Sequence, residues 1–290
     1  MREAHGTDGT FLGLCSELLL ERGVEHLFTS GQTGTADPGA VAEDSLEHLS
    51  DLQRKACRAL AVPIGAAAPT RLRALRQVHG STVLSVPGGT PCWSSPWPSG
   101  DGLVGDDPRD LFAIRTADCL PLVLADPLSG RVAAVHVGWR GLVAGIVPAA
   151  LAHFAHAPLA ALGPCIGRSR FEIGPEVAAR FRDVGLGLAL TDPSHSSTST
   201  SDDAACAPLE ATPARSQVSG SDRSHADLRA AVHSQLTDAG VREIDGSAPC
   251  TYDDRRFPSH RRDVTHEGRF STGRLHTLVR PGQPATSETS

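Results

Sequence analysis

Several absences narrow the chemistry of this 290-residue chain. No apolar run approaches the ~20 residues that a membrane-spanning helix needs. Residues 1–30 show no basic-then-apolar leader pattern. Lysine is confined to Lys55, so nearly all positive charge is arginine, a bias that fits a GC-rich genome. A formal net charge of −6 provides no basic surplus for a nucleic-acid backbone. The seven cysteines, at 15, 57, 92, 119, 165, 206 and 250, are odd in number and scattered. They form no disulfide framework and suit reduced thiols in a cytoplasmic protein. Membranes and nucleic acids are therefore not expected partners, and the sequence leaves the oligomeric state open.

The composition itself is ordinary for a globular protein, with 40% hydrophobic and 21% charged residues. Three apolar runs at the centre, 111–115, 120–125 and 132–137, read as strands, and Asp126-Pro127-Leu128-Ser129-Gly130 supplies a turn between the last two. An earlier strand is expected over 72–78, ending at His79. Helical spacing is expected over 41–61, 141–154, 176–181 and 226–239. Residues 12–22 fit either a helix or a buried strand. The stretch 192–224, rich in Ser, Thr, Asp and Ala, reads as a loosely ordered insertion, and 281–290 as a polar tail.

The central runs also give a cysteine and a histidine a reason to meet. If they form an antiparallel hairpin closing over 126–130, paired residue numbers sum to about 256; Cys119 and His136 sum to 255 and so oppose each other to within one residue. Opposed side chains on one face bring their Cβ atoms to ~5 Å. A thiolate and an imidazole so placed can share a metal, with bonds of ~2.3 and ~2.0 Å. A slip of one residue would put them on opposite faces. A cysteine in an apolar strand also serves as a small buried hydrophobe, and spacing alone gives His79 no reason to join.

At these residues the chain resembles a known family. Gln77-Val78-His79-Gly80, TADCLPLVLAD from Thr116, AAVHVGWRGL from Ala133, GPCIG from Gly163 and FEIGPEV from Phe171 occur in consistent order. Cys250-Thr251-Tyr252 and FPSHRRD from Phe257 follow. Together they are similar to the signatures of the bacterial laccase-domain, or multicopper polyphenol oxidase-like, proteins, now regarded as zinc-dependent purine nucleoside phosphorylases that also deaminate adenosine. The resemblance implies an α+β fold: a single-domain mixed α/β sandwich over 10–280, with sheets flanked by helices and the site at the strand ends. It implies that His79, Cys119 and His136 bind zinc, with Cys119 and His136 at the catalytic centre. The expected ligands are phosphate and a purine nucleoside, namely adenosine, inosine, guanosine or methylthioadenosine. The expected products are base and ribose 1-phosphate. Arg140, Arg261 and Arg262 lie inside matched motifs, and the planar donor fork of arginine suits phosphate.

Thiolate with two imidazoles suits zinc, although copper also binds such a set. A multicopper oxidase needs several clustered imidazoles, commonly as His-x-His pairs, and none of the thirteen histidines forms one. Four stretches depart from the family pattern: no Leu-Asn-Leu-Gly stretch is recognisable, the 192–224 insertion is unusually long, and two further segments differ. Thr29-Ser30-Gly31-Gln32-Thr33-Gly34 stands where members carry Thr-Arg-x-Gly-Gly, and residues 266–270 lengthen the path to Thr272-Gly273-Arg274. Two other readings stay open: a thiol hydrolase with Cys119 as nucleophile and His136 as base, and a zinc-bearing binding protein without activity. Asp101, Asp118 and Glu172 are the carboxylates considered for proton transfer, and the sequence assigns the role to none of them.

Overall fold

The computed structural model describes residues 1–5, 9–31, 71–91, 93, 97–191, 223–269 and 273–282. The helix expected over 41–61, nearly all of the 192–224 stretch and residues 283–290 lie outside them. Two six-stranded sheets make up most of the fold. The first has the order β1 (Arg2–His5), β2 (Phe11–Cys15), β3 (His26–Thr29), β15 (Leu275–Val279), β7 (Asp110–Thr116) and β4 (Arg71–Arg73). The second has the order β14 (Ile244–Asp245), β10 (Leu159–Leu162), β8 (Leu120–Asp126), β9 (Arg131–Val137), β6 (Gly102–Gly105) and β5 (Val83–Val86). A small third sheet joins β11 (Glu172–Ile173), β13 (Ser224–Ala226) and β12 (Leu190–Thr191). Both large sheets are mixed, since β4 pairs parallel with β7, β5 with β6 and β10 with β14.

Alternation along β8 and β9 builds the layers. Val123, Ala125, Val132 and Ala134 face Phe28, Phe112, Ile114 and Val279 of the first sheet. Leu120, Leu122, Leu124, Ala133, Val135 and Val137 face the other way, toward apolar residues of four helices. A short helix α1 (Glu17–Glu21), whose N-cap Ser16 accepts from the Leu19 amide, lies earlier in the chain. The four covering helices are α2 (Trp139–Val143), α3 (Ile146–Leu151), α4 (Pro175–Asp183) and α5 (Leu228–Asp238). The second sheet is therefore covered on both faces, which is why its central strands read as nearly unbroken apolar runs. The result is the mixed α/β sandwich that the resemblance implied, with α2–α5 on the outer face of the second sheet.

Several expectations change in detail. Residues 12–22 contain both a strand and a helix rather than one of them. The helix expected over 141–154 is broken by Gly145, whose φ of 87° ends α2 and starts α3. The run 72–78 is strand only at Arg71–Arg73 and then loop up to His79. Strand β7 leaves its chain neighbours for the first sheet, so residues 117–119 cross from one sheet to the other. The hairpin is also tighter than expected. Asp126 pairs with Arg131 because its carboxylate accepts from the Leu128 amide and the Ser129 hydroxyl, confining the turn to 127–130. His136 therefore faces Pro121, and Cys119 precedes the Leu120–Val137 pair, next to Gly138. Cys119 is thus diagonal to His136 on the same face, not opposite it. Among the described residues no helix is long and apolar enough to cross a membrane.

Candidate functional site

The ligand atoms of His79, Cys119 and His136 all lie within 4.8 Å of one another, at the ends of β8 and β9 away from the turn. Each side chain arrives for its own local reason. Gln77 docks its side-chain amide on the Arg115 backbone, donating to the carbonyl and accepting from the N–H at 2.8 Å each. The chain then turns through His79 at φ 59°, a region that non-glycine residues rarely occupy. Cys119 follows Asp118, which has φ 85° at the crossing between the sheets. The Asp118 carboxylate holds that turn by accepting from the Thr251 hydroxyl at 2.7 Å and the Arg261 backbone N–H at 2.6 Å. His136 is buried on the inter-sheet face of β9.

Asp101 connects two of the ligands. It is fully buried, and its Oδ1 lies 2.8 Å from Nδ1 of His136. The same carboxylate accepts from the amides of His79 (2.9 Å), Gly80 (2.7 Å) and Val78 (3.3 Å). The Asp101 carbonyl further accepts from the His136 amide at 2.7 Å. Because Nδ1 of His136 is taken by Asp101, Nε2 is the atom available to the cluster. The two imidazole rings meet edge to face, with centroids 4.7 Å apart.

Burial by itself would raise the Cys119 thiol, but hydrogen bonds and charge from His136 and His79 outweigh it and hold the thiol at about 6. Burial would lower His136, but Asp101 and Cys119 outweigh it and raise the imidazole to about 9. Asp101 is lowered despite burial by the hydrogen bond from His136 and the amides of Gly80 and His79. The metal-free cluster therefore favours a thiolate, the form a metal needs. One thiolate, two imidazoles, a carboxylate behind one imidazole and, among the described residues, no fourth ligand in the group together suit a metal ion with an open position.

The arginines separate into two kinds. Arg140 is exposed and stacks on the Trp139 ring with 4.5 Å to its centroid, two residues from Gly138. Arg261 donates from its side chain to the Glu172 carbonyl at 2.9 Å and lies over Phe171. Arg262 instead is buried and turned inward. It donates to Asp263 at 2.8 Å and to the carbonyls of Thr251, Tyr252 and Phe257 at 2.7–3.0 Å. That is the placement of an internal brace, not the one expected of a phosphate ligand. Glu172 pairs with Arg223, and Asp118 and Asp101 are occupied by the contacts above. Gln77, Gly138 and Thr251 were not singled out by the sequence, and only their place inside matched motifs hinted at a role. A cavity of about 690 Å³ opens at the opposite, turn end of the hairpin. Its Arg22, Arg131 and Arg280 are already paired with Glu243, Asp106 and Glu25.

A family model described as multi-copper polyphenol oxidoreductase laccase matches residues 28–279. A purine nucleoside phosphorylase of Deinococcus radiodurans is 33% identical over 258 residues, covering 85% of this chain and 87% of its own. One of Streptomyces coelicolor is 34% identical over 255 residues, covering 88% of each chain. The crystal structure of the Bacillus licheniformis hypothetical protein YfiH superimposes with a TM-score of 0.70 at 21% identity, covering 94% of this chain and 96% of that one.

Proposed function

This chain belongs to the multi-copper polyphenol oxidoreductase laccase family, and from that premise we propose that it cleaves purine nucleosides with phosphate at a zinc ion held by His79, Cys119 and His136. The observation that carries the reading is the convergence of those three side chains, two of them fixed by Asp101. The names of the relatives support the reaction class. The family description speaks of copper, yet the described residues contain one three-residue ligand group, and an oxidase of that kind needs several imidazole clusters.

Phosphorolysis forms a bond from a phosphate oxygen to C1′ of the ribose while the bond from C1′ to the purine nitrogen breaks. The electron pair passes to the base, which leaves with a proton. Zinc, when bound, supplies a Lewis acid and an activated water near neutral pH, the second of which would also serve adenosine deamination. Arg140 is assigned to phosphate, because it lies two residues beyond Gly138 with its guanidinium exposed and stacked on Trp139. Arg261 is assigned a second contact on the Cys119 side, where its backbone is tied to Asp118. Asp118 keeps the turn before Cys119 in its left-handed conformation, and Asp101 keeps Nε2 of His136 directed at the centre.

One observation favours a second reading. Cys119, His136 and Asp101 are linked in series, the arrangement of a thiol hydrolase. His79 supports the metal reading instead, because a nucleophilic thiol needs no second imidazole held in a rare backbone conformation. The test is to incubate inosine and adenosine with zinc-loaded protein, with and without phosphate, comparing wild type with Cys119→Ala. The expected result is base release that requires phosphate and disappears in the variant. No base and no ammonia from any purine nucleoside would overturn the proposal.

A further inference from the structure

Nothing in its own backbone requires residue 138 to be glycine. Gly138 has φ −83° and ψ 165°, an extended conformation open to any residue. The reason lies in the space beside it. A Cβ at this position would have as its three nearest atoms Cδ2 of His79 at 3.1 Å, Sγ of Cys119 at 3.2 Å and Nε2 of His136 at 3.9 Å. Each ligand residue thus contributes one atom. Two of the contacts are shorter than the ~3.5–4.0 Å at which carbon packs comfortably. Other tightly placed glycines serve the scaffold: a Cβ on Gly141 would meet the Gly80 carbonyl, and one on Gly163 the Phe28 ring. The register explains the placement, since extending the Leu120–Val137 pairing by one step sets residue 138 beside Cys119.

We propose that Gly138 keeps clear the exchangeable fourth position of the metal centre, so that a small oxygen ligand (water, hydroxide or a substrate oxygen) can enter. The inference rests on the metal reading above and adds a residue to it. Three protein ligands with a clear fourth position make a reactive site, whereas a filled position makes a structural one. A methyl group at residue 138 would stand among the three ligands and compete for that place. Gly138 acts through space, as a positioning residue, and touches no reacting atom.

Gly138→Ala tests this with three readouts: the melting temperature of the metal-free protein, zinc affinity by chelator competition, and the visible spectrum of the cobalt(II)-loaded protein titrated with azide. The metal-free variant is expected to melt near the wild-type temperature, since alanine suits this backbone and stiffens the unfolded chain while the close approach to His79 and Cys119 offsets that gain. Zinc affinity is expected to fall by about tenfold or more, the scale on which residues supporting metal ligands act. If cobalt still seats normally, azide is expected to leave the variant's spectrum unchanged while shifting that of wild type. Wild-type zinc affinity together with a wild-type azide response overturns the proposal. If Gly138→Ala lowers the metal-free melting temperature, removing the two closest atoms with His79→Ala and Cys119→Ala together should restore it to that of the His79→Ala/Cys119→Ala chain. Failure to restore it means that the glycine serves packing and also overturns the proposal. A wild-type chain that binds neither zinc nor cobalt defeats the metal assignment itself, a result separate from these.

Discussion

The carboxylate of Asp101 receives four donors, from Nδ1 of His136 and from the amides of Val78, His79 and Gly80. A buried carboxylate is costly unless its lone pairs are used, and here their use is what joins the His79 loop to the end of β9. Asn in its place would keep one acceptor but turn an NH₂ group toward amides that also donate. Asp101→Asn should therefore weaken zinc binding by about 10–100-fold, the usual cost of losing a carboxylate behind a ligating histidine. Chelator competition checks this, and unchanged affinity would show that the carboxylate only packs. The sequence offered Asp101 as one of three carboxylates without a role, because its partners lie more than twenty residues away on two different segments. Arg261 and Arg262 were equally indistinguishable as neighbours in one motif. The π-helical turn Arg261–His266 separates them, tying one to the Asp118 turn and burying the other.

Among the elements, the hairpin was the most legible. Its two apolar runs and its turn residues stand in the sequence, and β8 and β9 formed where they were expected. The register was one step off because Asp126 belongs to the ladder and not to the turn. Parity preserved the meeting of Cys119 and His136, since diagonal neighbours share a face. The placement of β7 in the other sheet was not legible: an apolar run says that a strand is buried, not which sheet buries it. The first sheet carries its own pH dependence, in the paired strands β3 and β15. Burial lowers His26 to about 4, against smaller opposing contributions from the Val24 carbonyl and Asp245. Burial, then Arg115 and Arg274, lower His276 to about 3. The neutral His26 ring accepts from the Ser16 amide at 2.7 Å, a bond that protonation would destroy. Both folded values lie below the ~6.5 of an unfolded imidazole. Their stabilisation is therefore complete above about pH 6.5 and is lost as pH falls toward the folded values. Near pH 5 unfolding should take up about two protons at these sites, so that stability falls by about 3 kcal/mol per pH unit. Denaturant titrations between pH 6.5 and 4.5 measure that slope, and a flat profile would contradict it.

On the scale of the whole molecule, the candidate centre sits where the chain crosses between the two sheets. Cys119 follows the crossing, His136 ends a strand of the second sheet, and His79 comes from a loop pinned to the first sheet through Gln77 and Arg115. That geography explains why His79 joined the set only through the family resemblance: no local pattern in a sequence encodes the approach of two sheets. It also explains why two residues at the centre occupy left-handed conformations, since the sandwich around them fixes where the chain must turn. As a metal ligand Cys119 is shielded from alkylation, whereas as a free nucleophile it reacts readily. Mass spectrometry of the intact protein, treated with iodoacetamide before and after chelation, distinguishes the two most directly. One zinc per chain, with Cys119 protected until the metal is removed and alkylated afterwards, is the predicted result. Rapid alkylation of Cys119 while zinc is still bound, or a chain that holds no stoichiometric zinc, would contradict it.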